Sequence, residues 1–561
     1  MGEIFVKLGF HNVTKVEDNP LGGAISADEN CIQCDYYTSI AGLEDLLTVE
    51  KTYVKALQQH LLKVEKLKTE LNDSLNEIEL EKKKMEHCDP FTKFKLLKRF
   101  MDNWQFVRNL AVTITDTKNF KKSSTIRGKK IALPTLGDMR GAARGISRLQ
   151  YIYKLNSTDF SNGYILGQKY SSGMTAYNCY ILGKSLYESQ DYTAAGEWLF
   201  EAFNKIEQSE ESNQTKQKDS QIQNDEPTKV IQNFPHVSEV KILEYLSLTL
   251  FKAGKVQLSL LMNTLLLRNE PTNQKGLQNQ KLFEQDLSRD RFRRKVPSKS
   301  KTSTITQLYE QVCRGELQQS PEEKRNLHCS YTNKNLAFYL LGPLKMELLS
   351  ADPFVALYYD VIYNSENEKI IATAKKSLKR SLIGDEDEST TDEIRISKNA
   401  WLDFNEHPEF LAKISKRLED ITGLSMETSE EMQVANYGVG GYYALHYDCD
   451  EEQDEEDPGE GIDRLMTAMF YLNNVDLGGA TAFPNLRLAV PPIKGSLVVW
   501  YNLHKSLKPD FRTSHAGCPV LKGSKWISNV WFDSLGQELN RPCDLRPDHA
   551  ISMPYKSLGL D

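Results

Sequence analysis

The chain has 561 residues, 40% apolar and 26% charged, a balance that fits a globular protein of several domains. Its net charge of −7 argues against a nucleic-acid binder. No apolar run approaches the ~18 residues of a membrane-spanning helix.

Met1 to Cys34 carries Glu3, Lys7, His11, Lys15, Glu17 and Asp18 without a continuous apolar core, so it does not read as a signal peptide. Cys31 and Cys34 form a C-x-x-C that lacks the βαβ setting of a redox motif. Sequons stand at Asn12, Asn72, Asn156 and Asn213. From Leu43 to Met85 the spacing predicts one long helix. Leu57, Val64, Leu71 and Ile78 recur at heptad intervals, with Tyr53, Leu61, Leu67 and Leu75 beside them, a coiled-coil-like stripe. An amphipathic helix packed within its own domain is the alternative. Asp89-Pro90 ends it and a second helix begins at Phe91.

Gly173 to Ile206 and Val237 to Asn269 read as two helical hairpins with tetratricopeptide-like spacing, separated by a polar stretch, Glu207 to Glu226, expected to be a solvated linker. Aromatic side chains on such a groove suit a proline-rich ligand, because polyproline II is preformed and stacks on flat rings. Repeat core is the competing role for them. The basic run Arg289 to Lys295 reads as a charged linker.

Beyond Cys329 the pattern changes. Pro353 to Tyr363 is strand-like, Glu366 to Leu378 helical, Ile394 to Trp401 strand-like and Pro408 to Thr422 helical. Seven strands follow at 432–437, 442–448, 465–472, 480–483, 497–501, 515–521 and 525–532. An acidic stretch, Asp450 to Gly459, reads as a lid rather than a calcium site. His446, Asp448 and His515 make two imidazoles and a carboxylate, the ligand set of a facial triad for non-haem Fe(II) with open positions. An H-x-D is weak on its own, and a zinc hydrolase also uses such ligands. Lys525, ten residues past His515 in a strand-like run, strengthens the first reading: a buried lysine needs an anion, and a dicarboxylate cosubstrate supplies one. The alternative for Lys525 is a surface strand position.

The phrases QVANYGVGG, FYLNNVDLGGATAFP, GSLVVWYNL, HAGCPVL, GSKWISNVWF and RPC resemble the catalytic domain of the collagen prolyl 4-hydroxylase α-subunit family. TSIAGLEDLLTVEKTYV, KFKLLKRF and AARGISRLQYIYKL resemble that family's first domain. The resemblance implies a multidomain chain: α-helical dimerisation (36–165) and tetratricopeptide-like peptide-binding (166–270) domains, a linker with a cysteine pair (271–335), and an α+β double-stranded β-helix (jelly-roll) catalytic domain (336–561), with 1–35 unassigned. It implies Fe(2+) on His446, Asp448 and His515, and 2-oxoglutarate paired with Lys525 and helped by Thr481 and Tyr437. L-ascorbate is a further cofactor, and Tyr192 and Tyr245 bind peptide. Thr193, Leu248 and Phe251 replace other family tyrosines, and Ser514 stands where vertebrate members carry Arg. Of the nine cysteines, it implies the bridges Cys313–Cys329 and Cys518–Cys543. The implied activity is hydroxylation of C4 of peptidyl proline in collagen-like chains, in an α2β2 tetramer with protein disulfide isomerase in the endoplasmic reticulum lumen. The alternatives are a 2-oxoglutarate hydroxylase of another secreted Pro-rich substrate and a non-catalytic peptide-binding subunit; the latter would lose a ligand or Lys525, and all four residues are present.

Overall fold

The computed structural model describes residues 36, 38–40, 42–61, 78, 82, 89–101, 125–126, 129–130, 133–219, 237–290, 304–334, 336–382, 393–450 and 463–544. The described chain opens on helix α1 (Leu43–Leu61), then α2 (Pro90–Arg99) and α3 (Leu136–Tyr153). Asp89 caps α2 by accepting from the amides of Phe91 and Thr92. Thr135 and Asp138 form a reciprocal capping box on α3, an arrangement worth about 1 kcal/mol. Half of the expected heptad stripe, Val64, Leu67, Leu71 and Leu75, lies outside the described residues, as do Cys31, Cys34 and Cys88.

Five helices follow: α4 (Ala176–Glu188), α5 (Tyr192–Asp219), α6 (Glu239–Lys252), α7 (Val256–Asn269) and α8 (Gln274–Asp290). From α5 to α8 each packs on its predecessor. Gly183 lets α4 and α5 close up, since a Cβ there would sit 2.7 Å from Leu199 Cγ. The expected linker at 207–226 is helical as far as Asp219. Residues 207–219 are all polar, with no Gly or Pro, so nothing stops the helix that Trp198 and Leu199 anchor.

Next come α9 (Thr304–Cys313), strands β1 (Cys329–Thr332), β2 (Leu344–Ala351) and β3 (Phe354–Tyr359), helix α10 (Asn364–Ala374), β4 (Lys379–Arg380), β5 (Lys398–Leu402) and helix α11 (Pro408–Thr422). The remaining strands are β6 (Met432–Tyr437), β7 (Tyr443–His446), β8 (Arg464–Tyr471), β9 (Leu477–Gly478), β10 (Thr481–Phe483), β11 (Leu488–Val490), β12 (Leu497–Tyr501), β13 (His515–Gly517), β14 (Val520–Lys522) and β15 (Lys525–Asp533). The expected strand at 515–521 is thus two, broken at Cys518-Pro519, where Pro has no amide for a ladder.

A nine-stranded sheet runs β1-β2-β3-β12-β8-β15-β6-β5-β4 and a four-stranded sheet runs β7-β13-β10-β11. Alternation along the strands separates two cores. Val434, Met466, Ala468, Phe470, Leu497, Val499, Val530 and Phe532 face the cluster that holds Ile370 of α10 and Leu411, Ile414 and Leu418 of α11. Ala435, Met469, Tyr471, Val498, Trp500 and Ile527 face the second cluster, which takes Phe483, Leu488 and Val490 from the smaller sheet and Val520 from β14. A helical N-terminal region therefore precedes a β-rich C-terminal domain.

The chain divides into two compact units. One takes Ser157–Tyr164 and Ser172–Lys295, and so holds α4–α8. The other takes Asp35–Asn156, Ile165–Ser171 and Val296–Asp561, so α1–α3 compact with the strands. The expected bridges Cys313–Cys329 and Cys518–Cys543 do not form. Cys313 pairs with Cys518, with Cα atoms 5.6 Å apart, while Cys329 and Cys543 are free and exposed. The cause is tertiary: α9 packs against β10 and β11, within the sheet that contains β13, and this brings Cys518 to its last turn.

Candidate active site

β7 and β13 pair antiparallel with His446 opposite His515, and Asp448 follows His446 by one strand repeat. The imidazole centroids lie 4.3 Å apart. Asp448 Oδ1 is 3.6 Å from His446 Nε2 and Oδ2 is 3.5 Å from His515 Nε2, so all three donor atoms fall within 4.8 Å of one another. Each histidine Nδ1 lies against a backbone carbonyl, that of Ala444 at 2.7 Å and that of Thr513 at 3.1 Å. An Nδ1–H donated there leaves the Nε2 lone pair facing its neighbours, the tautomer a metal requires. Asp448 Oδ2 accepts from the Thr467 hydroxyl at 2.7 Å, and Asn502 Nδ2 donates to that hydroxyl at 2.9 Å.

The electrostatics match. Burial first, and then His515, push the His446 imidazole down to about 3, so it stays neutral. Burial pushes the Asp448 carboxyl up, but His515, His446, Arg464 and the Thr467 hydrogen bond outweigh it and hold the group ionised. Two imidazoles and a carboxylate, pre-oriented and gathered at one point, fit a divalent metal.

Lys525 opens β15, in register with Tyr437 of β6. It is 3% exposed, and its Nζ donates to the Thr481 hydroxyl at 3.2 Å. The Tyr471 and Tyr437 ring centroids lie 5.5 and 5.9 Å from it. Among the described residues it has no carboxylate within ion-pair distance. Burial accordingly lowers its ammonium from 10.5 to about 7. A buried cation without an internal anion fits an anionic ligand.

The triad and Lys525 share one cavity of about 220 Å³, which Tyr437 and Thr481 also line. β15 supplies its floor with period two, through Lys525, Ile527, Asn529 and Trp531, while Trp526, Val530 and Phe532 face the other core. Trp500, edge-on to His515 at 4.8 Å, forms a wall, and Tyr443 stacks on His446 at 3.6 Å. Sequence reasoning missed Arg395, Gln433, Trp401, Arg464 and Trp531, which line the same cavity. Arg395 lies 4.7 Å over Tyr443 and donates to Gln433 Oε1 at 2.6 Å; among the described residues it has no carboxylate partner. Its position in a strand-like run was the one available signal. Ser514 is buried and brings no charge beside His515. The acidic stretch is described only at Asp450.

Tyr192 and Tyr245 belong to the helical unit. Both make edge contacts with Tyr187, at 5.5 and 5.8 Å, and Tyr245 meets Tyr180 at 5.8 Å. Tyr187 escaped the sequence reading. Phe251 instead stacks on Phe283 at 4.7 Å.

Residues 39–167 match the family described as Prolyl 4-Hydroxylase alpha-subunit, N-terminal region, and residues 432–533 match the 2OG-Fe(II) oxygenase superfamily. Prolyl 4-hydroxylase subunit alpha-2 of Gallus gallus is 32% identical over 536 residues, covering 91% of this chain and 95% of the relative. Subunit alpha-1 of Homo sapiens is 33% identical over 539 residues, covering 91% and 96%. Among solved structures, a viral collagen prolyl hydroxylase from Paramecium Bursaria Chlorella virus-1, in a 2OG complex, is 30% identical; the match covers 32% of this chain and 95% of that one, with a TM-score of 0.28.

Proposed function

The chain belongs to the prolyl 4-hydroxylase α-subunit family, and on that premise we propose that it hydroxylates C4 of proline in Pro-rich, collagen-like chains, consuming O2 and 2-oxoglutarate and releasing succinate and CO2. One observation carries the reading: a pre-oriented His446, Asp448, His515 set shares a cavity with a buried lysine that has no counter-ion among the described residues. A zinc hydrolase has no use for that lysine.

His446, Asp448 and His515 would hold Fe(2+). The bound metal and 2-oxoglutarate supply the oxidising chemistry that attacks an unactivated C–H bond. The residues do the rest. Ala444 and Thr513 carbonyls fix the imidazoles, and Thr467 aims the carboxylate. Lys525 takes the far carboxylate of the cosubstrate, and Thr481 and Tyr437 flank that end. Trp500, Phe483 and Tyr443 wall the histidines and limit water. Arg395, Gln433 and Trp531 offer hydrogen bonds to the peptide. L-ascorbate serves as reductant for turnovers that do not end in hydroxylation.

The finer parts of the reading rest on the family. The α4–α8 hairpins act as tetratricopeptide-like repeats that hold a proline-rich segment on Tyr192 and Tyr245, and the N-terminal helices dimerise. Protein disulfide isomerase completes an α2β2 assembly in the endoplasmic reticulum lumen. The test is succinate release from 2-oxoglutarate with and without a Pro-Pro-Gly repeat peptide, with hydroxyproline scored by mass spectrometry. Peptide-stimulated succinate and hydroxyproline, both lost in His515→Ala, are expected. Metal-dependent peptide hydrolysis without succinate would move the reading to the hydrolase.

A further inference from the structure

The two strands that carry the histidines end in loops that sit on the N-terminal helical layer. One loop, Gly438 to Tyr442, leads into β7; the other, Gly517 to Pro519, leaves β13. Helix α3 touches both, through Gly145 and Arg148 on the first loop and Tyr153 on the second. The backbones of Gly145 and Gly440 meet directly: a Cβ on Gly440 would lie 3.0 Å from Gly145 Cα, and Gly440 has φ +76°. Arg148 Nη1 donates to the Gly440 carbonyl at 2.7 Å, and its guanidinium lies 4.1 Å over the Tyr442 ring. Glu393 holds the other edge of Arg148 at 3.6 Å and accepts from Arg144 at 2.7 Å. The Tyr153 hydroxyl donates to the Pro519 carbonyl at 2.7 Å.

Neighbouring contacts close the clamp. Gly438 N donates to Thr38 O, and the Ser39 hydroxyl donates to Asn436 Oδ1. Lys93 Nζ, from α2, donates to Val439 O at 2.6 Å. The loops are tied to each other as well: Gly440 N donates to Val520 O at 2.8 Å and Val520 N to Gly441 O at 3.1 Å. His446 lies four residues beyond Tyr442, and His515 two before Gly517.

We propose that helix α3 is a positioning platform for the metal site, with Arg148 and the Gly145–Gly440 contact setting the separation of the two histidine strands. This rests on the reading of His446, Asp448 and His515 as metal ligands. Metal affinity then depends on side chains of a helix that contributes no ligand.

The discriminating series is made in the full-length chain at Gly145. Ala places its Cβ 3.8 Å from Gly440 Cα, an ordinary contact. Leu drives a wedge between helix and loop while raising helix propensity. Mn(II) binding is followed by electron paramagnetic resonance, so the readout is independent of turnover, and thermal melts check folding. Gly145→Ala should bind Mn(II) like wild type. Gly145→Leu and Arg148→Ala should bind roughly tenfold or more weakly, the size typical of lost support behind ligands. Arg148→Lys should recover part of the loss, and Tyr151→Ala, at an exposed position of the same helix, should change nothing. Wild-type affinity in a cooperatively melting Gly145→Leu or Arg148→Ala would overturn the platform. If Gly145→Leu does not fold, the Arg148 pair decides. Unchanged Mn(II) binding in His515→Ala would instead overturn the ligand assignment itself.

Discussion

Lys525 shows how a single residue carries opposite obligations to stability and to binding. Its folded-state pKa of about 7 lies below its ordinary 10.5. Below 7 both folded and unfolded chains hold the proton, and the penalty for the buried ammonium is fully present. Between 7 and 10.5 the unfolded chain holds the proton that the folded chain has released, so stability rises by about 1.4 kcal/mol per pH unit from this group. Lys525→Met should therefore be more stable than wild type near pH 6.5, in buffer without metal or cosubstrate. The gap should close as pH rises to 9.5. Denaturant melts of the two chains measure it, and a gap independent of pH would mean the ammonium is solvated. The same substitution should weaken 2-oxoglutarate by ~100-fold, about 3 kcal/mol for a lost buried charge pair, measured by calorimetric titration. The triad and Lys525 were legible in the sequence because chain order and strand alternation are local properties. Arg395, Gln433 and Arg464 were not: an arginine in a strand looks the same whether it faces solvent or a cavity, and only the fold tells them apart.

Among elements, most strands and helices of 344–533 follow from alternation and helical spacing, but the sequence reading omits β2, β4, β9 and β11. Pairing of cysteines does not follow from spacing, since four cysteines allow three connectivities. Near-sequence partners looked natural for Cys313 and Cys518, yet α9 docks beside the ligand strand and joins them across a separation of 205 residues. Peptide mapping under non-reducing conditions should recover the Cys313–Cys518 link and find Cys329 and Cys543 alkylated. Cys313→Ser should destabilise by about 2–5 kcal/mol, the range for removing a bridge of this kind. In the helical unit, Tyr187 touches both Tyr192 and Tyr245. Tyr245→Ala should weaken a Pro-Pro-Gly repeat by roughly tenfold, the worth of one lost aromatic contact, read by fluorescence anisotropy.

On the scale of the molecule, the two family matches, 39–167 and 432–533, are distant in sequence, yet most of the first lies in the compact unit that holds the second. Linear composition marks a change from helices to strands and invites a domain boundary there; the contacts that cancel that boundary are made by backbone carbonyls and glycines, which leave no compositional trace. A piece beginning at Val296 would lack Ser39, Lys93, Arg148 and Tyr153. Amide exchange at 438–446 and 517–522 should be much faster in that piece than in the full chain. Equal protection would show that the strands need no helical support.

The Ser39–Asn436 hydrogen bond joins residues 397 apart. A ribosome adding 5–20 residues per second reaches Asn436 roughly 20–80 s after Ser39. Through that interval Thr38, Ser39 and Lys93, all buried in the finished fold, lack their partners at 436–439. The nascent helices must therefore be shielded, or stay incompletely folded, until the strands that complete them leave the exit tunnel.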